Sequence, residues 1–251
     1  MKKSALILIC VITVTCCKGK KEMHPVTETT VYDFPESKLW AHRVKNAAEA
    51  TILFHEFNGI ELDVVYDNNT ERFDLRHDPD SPASGIDLES FFDSIPDVAS
   101  HYYWIDFKNL YDSNATRSAQ CINALLDKYR IRKNVIVEST YVGPLKTISR
   151  AGINTSYWVP EPGNGRDTLS VYHEICTQLE GSGFDALSAS YTAYPFLNKY
   201  FPNCTIHLWT NNLVSDKDKE IIRSLHNQSN VKIILVDIRN NFIRTENSNA
   251  K

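Results

Sequence analysis

Two acids, Glu61 and Asp63, stand one residue apart inside the apolar stretch GIELDVVYD, residues 59–67. Desolvating a polar group without partners costs roughly 2–7 kcal/mol, and an ionised carboxylate costs more. In a strand, residues two apart face the same side, so both carboxylates project together while Leu62 and Val64 face away. Side by side in a low dielectric they repel, so one is protonated or a cation lies between them. An all-oxygen donor set suits a hard divalent ion, calcium or magnesium. A third acid, Asp106, ends the next central apolar run, YYWIDFK, with Lys108 two residues further on the same face. Glu61, Asp63 and Asp106 therefore form a candidate three-carboxylate metal site. Alternatively, Asp106 pairs with Lys108, and the whole set is a salt-bridged end of a sheet neutralised by Arg43 and Lys108.

Two histidines sit where they could serve such a centre. His42 ends the run LWAHR beside Arg43, and His77 closes LRHDP a short way after the acid pair. Imidazoles flanking a metal-bound phosphate can act as general base and general acid, because a pKa near 6.5 moves easily toward the working pH. Arg43 and Lys108 would grip phosphate oxygens, Arg as a planar fork and Lys as a point charge. His55, His101, His173, His207 and His226 fall in helices, turns or mid-strand and read as surface or core filler.

Such residues must be held by rigid elements. From residue 39 onward, short apolar runs alternate with helical patterns. The strands expected are LWAHR, GIELDVVYD, YYWIDFK, NVIVES, INTSYWV, FDALSAS, CTIHLWT and VKIILVD. Between them lie helical segments such as SNATRSAQCINALLDKYR, where Ser113 or Asn114 can cap the start and Ile122, Leu125 and Tyr129 share a face. About eight strands, each followed by a helix, argue for an α/β fold with a parallel sheet, closed as a compact single (βα)8 TIM barrel. A doubly wound open sheet is the alternative, but no GxGxxG or Walker sequence follows any strand. In a barrel, strand C-terminal ends carry the chemistry, which is where the acids and histidines fall.

The chain of 251 residues is 42% hydrophobic with a net charge of -4, which allows a sizeable core and gives no reason to expect nucleic acid as a partner. Residues 1–17, MKKSALILICVITVTCC, read as an export signal: two lysines, then an apolar run too short for the roughly 20 residues of a membrane span. VTCC resembles a lipobox, which makes Cys17 the candidate for a lipid anchor to the membrane; a plain cleaved secretory signal is the other reading. Either way the protein is expected in the bacterial cell envelope or outside it. Residues 18–36 read as a polar tether, 37–245 as the barrel and 246–251 as a tail. Cys121, Cys176 and Cys204 show no metal spacing and read as buried thiols, with one disulfide an option.

The ordered set resembles the glycerophosphodiester phosphodiesterases, part of the barrel superfamily that includes the phosphatidylinositol-specific phospholipases C. It consists of His-Arg on the first strand, Glu-x-Asp on the second, His-Asp after an excursion, and an acid-x-Lys pair. VIVEST, SYWVP, HLWTNN and IILVDI are similar to the family's later strands, so the likeness spans nearly the whole mature domain. It implies that His42 and His77 are the acid/base pair and that Glu61, Asp63 and Asp106 hold one divalent cation. It further implies that Arg43 and Lys108 contact phosphate and that Trp209 walls the pocket. Tyr157 and Trp158 read as rim residues for a phosphodiester substrate.

Two departures bear on substrate. The family's His-Arg-Gly and its later Glu-Asn-Thr are absent from HRVKNAAEA, and Glu49 falls on the first helix. No large insertion stands between the second and third strands, so a shallow pocket is expected, suited to a lipid or polymeric headgroup. The three-carboxylate pattern is similar to that of the sphingomyelinase D branch, whose reaction stops at a cyclic phosphate. A lipid- or glycan-binding lipoprotein that has lost catalysis is the reading outside enzymology.

Overall fold

The computed structural model describes residues 37–163, 165–211 and 215–237. The expected signal (1–17), tether (18–36) and tail (246–251) lie outside the described residues, as does the end of the expected barrel, 238–245.

Eight parallel strands close on themselves: β1 (Leu39–His42), β2 (Gly59–Asp67), β4 (Tyr102–Phe107), β5 (Val135–Ser139), β6 (Thr155–Trp158), β7 (Ala186–Ser190), β8 (Ile206–Trp209) and β9 (Val231–Asp237). Closure is made by β1, which pairs with β9 along Leu39–His42 and with β2 at Ala41 opposite Ile60. This is the compact (βα)8 barrel read from the alternation. Strand limits agree with the apolar runs to within a residue or two, and β2 and β9 match them end to end.

One departure lies in the excursion after β2. Residues Arg72–Leu75 form β3, antiparallel to β2, and Leu88–Asp93 form a short helix, α2. Neither was expected, although DNNT at the hairpin bend supplies turn residues of the usual kind. The other helices are α1 (Ala47–Leu53), α3 (Ala115–Tyr129), α4 (Val142–Arg150), α5 (Thr168–Leu179), α6 (Tyr194–Tyr200) and α7 (Asp216–His226). Side-chain caps fix several starts: Asn46 on α1, Asp87 on α2, Asp167 on α5, and a Ser215/Asp218 capping box on α7. Asn114 precedes α3 but does not cap it; its amide bridges Tyr111 N and Asn109 O instead.

The strand pleat sorts side chains into two cores. Outward residues such as Ala41, Leu62, Val64, Ile105 and Val137 join the helices in the larger cluster. Inward residues Trp40, Trp104, Ile136, Ile233 and Leu235 fill the barrel. Gly59 makes room for Trp40, since a Cβ there would lie 2.3 Å from the indole. Above this apolar plug the inward positions turn polar, toward the C-terminal ends of the strands. The optional disulfide among Cys121, Cys176 and Cys204 is not formed; Cys204 is buried as expected, whereas Cys121 and Cys176 are only half-buried.

Candidate active site

Asp63 on β2 stands opposite Asp106 on β4, and Asp106 stands opposite Glu138 on β5, so three neighbouring strands present acids at one level. Glu61 lies one pleat deeper. A cavity of about 190 Å3 at this end is lined by His42, Arg43, Glu61, Asp63, His77, Asp106, Lys108 and Trp209, together with Glu138, Trp158 and Asn211. All the residues singled out in the sequence are brought there except Tyr157.

Tyr157 is corrected by strand parity. Ser156 and Trp158 point inward, so Tyr157 points into the helix layer, buried and 5.6 Å from the Phe184 ring. Burial pushes its hydroxyl up to about 12. Trp158 takes the rim position and meets Trp209 edge-on, ring centroids 5.4 Å apart at 72°.

His42 has a defined tautomer. Its Nδ1 lies 2.8 Å from the Thr210 carbonyl oxygen, which can only accept, so Nδ1 carries the proton. The neutral ring then has its lone pair on Nε2, which lies 3.8 Å from Glu61 Oε2. Burial depresses the imidazole to about 4, with Arg43 adding in the same direction, so it is a neutral base at pH 7. His77 is exposed at the rim of the same cavity.

Arg43 carries backbone strain at the point of function, with φ at 64°. That left-handed turn aims its backbone N–H at Glu61 Oε2, 2.7 Å away. Its guanidinium donates to Asn211 Oδ1 at 2.8 Å and lies 3.7 Å from the buried Asp237, so the fork is fixed before any ligand arrives. No glycine follows Arg43, because Arg43 itself makes the turn.

Oxygens of Glu61, Asp63 and Asp106 lie within 4.8 Å of one another. Burial, then the charges of Asp63 and Asp106, raise Glu61 well above the carboxylate range. Its Oε1 is buried without a hydrogen-bond partner among the described residues. An all-oxygen cluster with an orphaned, destabilised carboxylate oxygen suits a divalent cation. Lys108 partly answers the same need: its ammonium lies 2.8 Å from Asp63 Oδ1 and bonds to Asp106. Burial alone would lower this lysine, but Asp106 and Asp63 outweigh it and hold it above its usual range. It faces the acids, 5.9 Å from the Trp158 ring, so the ion pair weighed in the sequence is present within the candidate cation site. Glu49 turns back onto the Lys45 backbone N–H and is not part of the cavity.

Glu138 was not singled out from the sequence, although its place in VIVEST, one residue before the end of β5, was the available signal. It accepts from Trp104 Nε1 at 3.0 Å and bonds to Ser188 Oγ. Burial pushes its carboxyl up to about 8, and the Asp106 charge adds to this, so at pH 7 it is mostly an uncharged group beside Asp106.

No family model matches the sequence, and no curated protein matches it. Solved structures do match. A glycerophosphodiester phosphodiesterase from Parabacteroides distasonis is similar with a TM-score of 0.62 at 15% identity, over 87% of this chain and 100% of that one. A phosphodiesterase from Oleispira antarctica, in complex with the product sn-glycerol-3-phosphate, gives 0.61 at 12% identity, over 86% of this chain and 97% of its own. A calcium-dependent phosphoinositol-specific phospholipase C from a Pseudomonas species gives 0.54 at 11% identity, over 82% and 91%. At these identities the likeness establishes the fold, a closed barrel shared with phosphodiesterases of both kinds.

Proposed function

We propose that the protein is an exported, divalent-cation-dependent phosphodiesterase that cleaves a glycerophosphodiester or phospholipid-type headgroup. The observation that carries this reading is the convergence of His42, Arg43, His77 and the Glu61/Asp63/Asp106 cluster on one cavity. The phosphodiesterases among its structural neighbours support it.

Each residue has a role that follows from its surroundings. His42, with Nδ1–H tied to Thr210, offers Nε2 as general base to the attacking hydroxyl. His77, at the exposed rim of the same cavity, hands a proton to the departing oxygen. Arg43, pinned by Asn211 and Asp237, receives the phosphoryl oxygens, and the Trp158/Trp209 pair walls the headgroup. Glu61, Asp63 and Asp106 would hold the cation, calcium or magnesium, which when bound supplies Lewis-acid polarisation of the phosphoryl group. Lys108 shares Asp63 and Asp106 with it and moderates their repulsion. The signal at residues 1–17, ending at Cys17, would place the enzyme at a membrane, where such headgroups occur.

The test is cleavage of glycerophosphocholine, glycerophosphoinositol, lysophospholipids and sphingomyelin by purified protein, with each divalent ion and with chelator. Expected are chelator-sensitive turnover and a loss in kcat of about 10²–10⁴ on His42→Asn. Turnover of none of these substrates would leave a binding protein on a phosphodiesterase barrel. A second reading, a lyase that stops at the cyclic phosphate, is favoured by the three-carboxylate centre and by Glu49 lying outside the cavity. Phosphorus NMR of the first product separates the two, since a linear monoester as first and only product excludes the lyase.

A further inference from the structure

The cavity at the acids, about 190 Å3, is below the roughly 300–1,000 Å3 usual for small-molecule sites, so it holds the phosphoryl centre and little more. Beside it opens a larger one of about 550 Å3, which shares Arg43, Asp63 and His77 with it. Its walls come from the loop after β1, with Lys45 and Asn46, and from the excursion after β3, with Arg76 and Ser84. Val44 and Leu75, both buried, contribute to its floor.

The charges in this groove are unequally satisfied. Its one carboxylate, Asp63, is already engaged by Lys108 at 2.8 Å. No carboxylate among the described residues lies within 4.0 Å of the Lys45 ammonium. Arg76 is built in: Nη1 donates to Ser81 O and Nε lies 3.5 Å from Asp74 Oδ1. Asp74 is itself fixed by Ser84 N, Ser84 Oγ and Gly85 N. Arg76 Nε, although near Asp74, is buried without a hydrogen-bond partner among the described residues. Arg76, its guanidinium fixed by Ser81, and the exposed, uncommitted ammonium of Lys45 line the same groove, and together they make a receptor for an oxyanion.

We propose that the groove between the first loop and the β3 excursion is a second anion subsite, so that the preferred substrate is a phosphodiester whose arm carries a further phosphate monoester. This rests on the phosphodiesterase reading for the reaction, though not for the binding. The chemistry fits either a soluble phosphorylated headgroup or the same headgroup on a lipid.

Calorimetry on the full chain with inositol 1-phosphate and inositol 1,4-bisphosphate reads the subsite without turnover. The bisphosphate is expected to bind about tenfold tighter or more, and Lys45→Ala and Arg76→Gln each to remove most of that ratio. Turnover of glycerophosphoinositol 4-phosphate, compared with phosphatidylinositol 4-phosphate in vesicles, tells the soluble source from the lipid one. Equal affinity for the two inositol phosphates overturns the subsite, even where glycerophosphodiesters are cleaved. A preserved ratio in a protein that cleaves no diester overturns the phosphodiesterase reading and leaves the subsite standing.

Discussion

Glu61 holds the sharpest conflict between stability and chemistry in the molecule. Its carboxyl is fully inside the barrel, with Oε2 receiving the strained Arg43 N–H and Oε1 left over. A carboxyl whose folded pKa is raised costs stability once pH exceeds the unfolded value, because only the unfolded chain can ionise it freely. Without a cation at pH 8, Glu61→Gln is therefore expected to be more stable than the native protein. With calcium or magnesium the order reverses, since the native carboxylate gains a ligand that binds only the folded state. Thermal unfolding in chelator and in each ion checks this. A cation-dependent rise in Tm that survives in Glu61→Gln would remove Glu61 from the metal site. Glu61 and Asp63 were legible because carboxylates inside an apolar strand need a reason to be there. The lysine bridging Asp63 and Asp106 was legible only as a choice, since sequence spacing does not say which partner the ammonium faces.

Strand parity is the rule of the element scale, and it decided two positions differently. Along β2 the alternation placed Glu61 and Asp63 inward, as the pattern implied. Along β6 the run INTSYWV is apolar on both faces near its end, so the pattern could not choose between Tyr157 and Trp158, and only pairing with β5 and β7 did so. A paired test follows. Tyr157→Phe is expected to leave kcat/KM within about twofold, because the hydroxyl lies in the helix layer away from the cavity. Trp158→Ala is expected to raise KM about tenfold by removing the wall opposite Trp209. The reverse ranking would mean that β6 is turned by one residue. Parity also sets Gly59 against the Trp40 ring, where an added methyl has 2.3 Å of room. Gly59→Ala is expected to cost about 1–3 kcal/mol in urea unfolding as Trp40 is displaced; unchanged stability would argue that Trp40 does not fill the base of the barrel.

Depth inside the closed barrel is a property of the whole molecule, and it explains what periodicity left unread. Alternation tells inward from outward, but the stagger between strands decides whether an inward residue meets the plug, the middle or the open end. Glu138 and His207 are both inward; stagger brings Glu138 level with Asp106 in the cavity wall and leaves His207 sealed below, its Nδ1 3.0 Å from Ser156 Oγ and its ring 5.4 Å from Trp104. The histidine was read as filler, and its burial gives the barrel a pH response of defined sign. Desolvation lowers His207 from 6.5 to about 3, so the unfolded chain takes up this proton well before the folded one does. Stability is therefore intact above about pH 6.5 and is lost at about 1.4 kcal/mol per pH unit as pH falls from there toward 3. Glu138, raised to about 8, acts in the opposite sense, so the native profile alone mixes the two. The comparison with His207→Asn cancels the Glu138 contribution, because both proteins carry it. Asn can keep a hydrogen bond to Ser156 but cannot titrate. Relative to this variant, the native protein is expected to lose roughly 2–3 kcal/mol between pH 7 and pH 4.5 in urea unfolding. A gap that does not change with pH would mean that His207 is protonated inside the barrel, with a counter-charge reaching it from the layer of acids above.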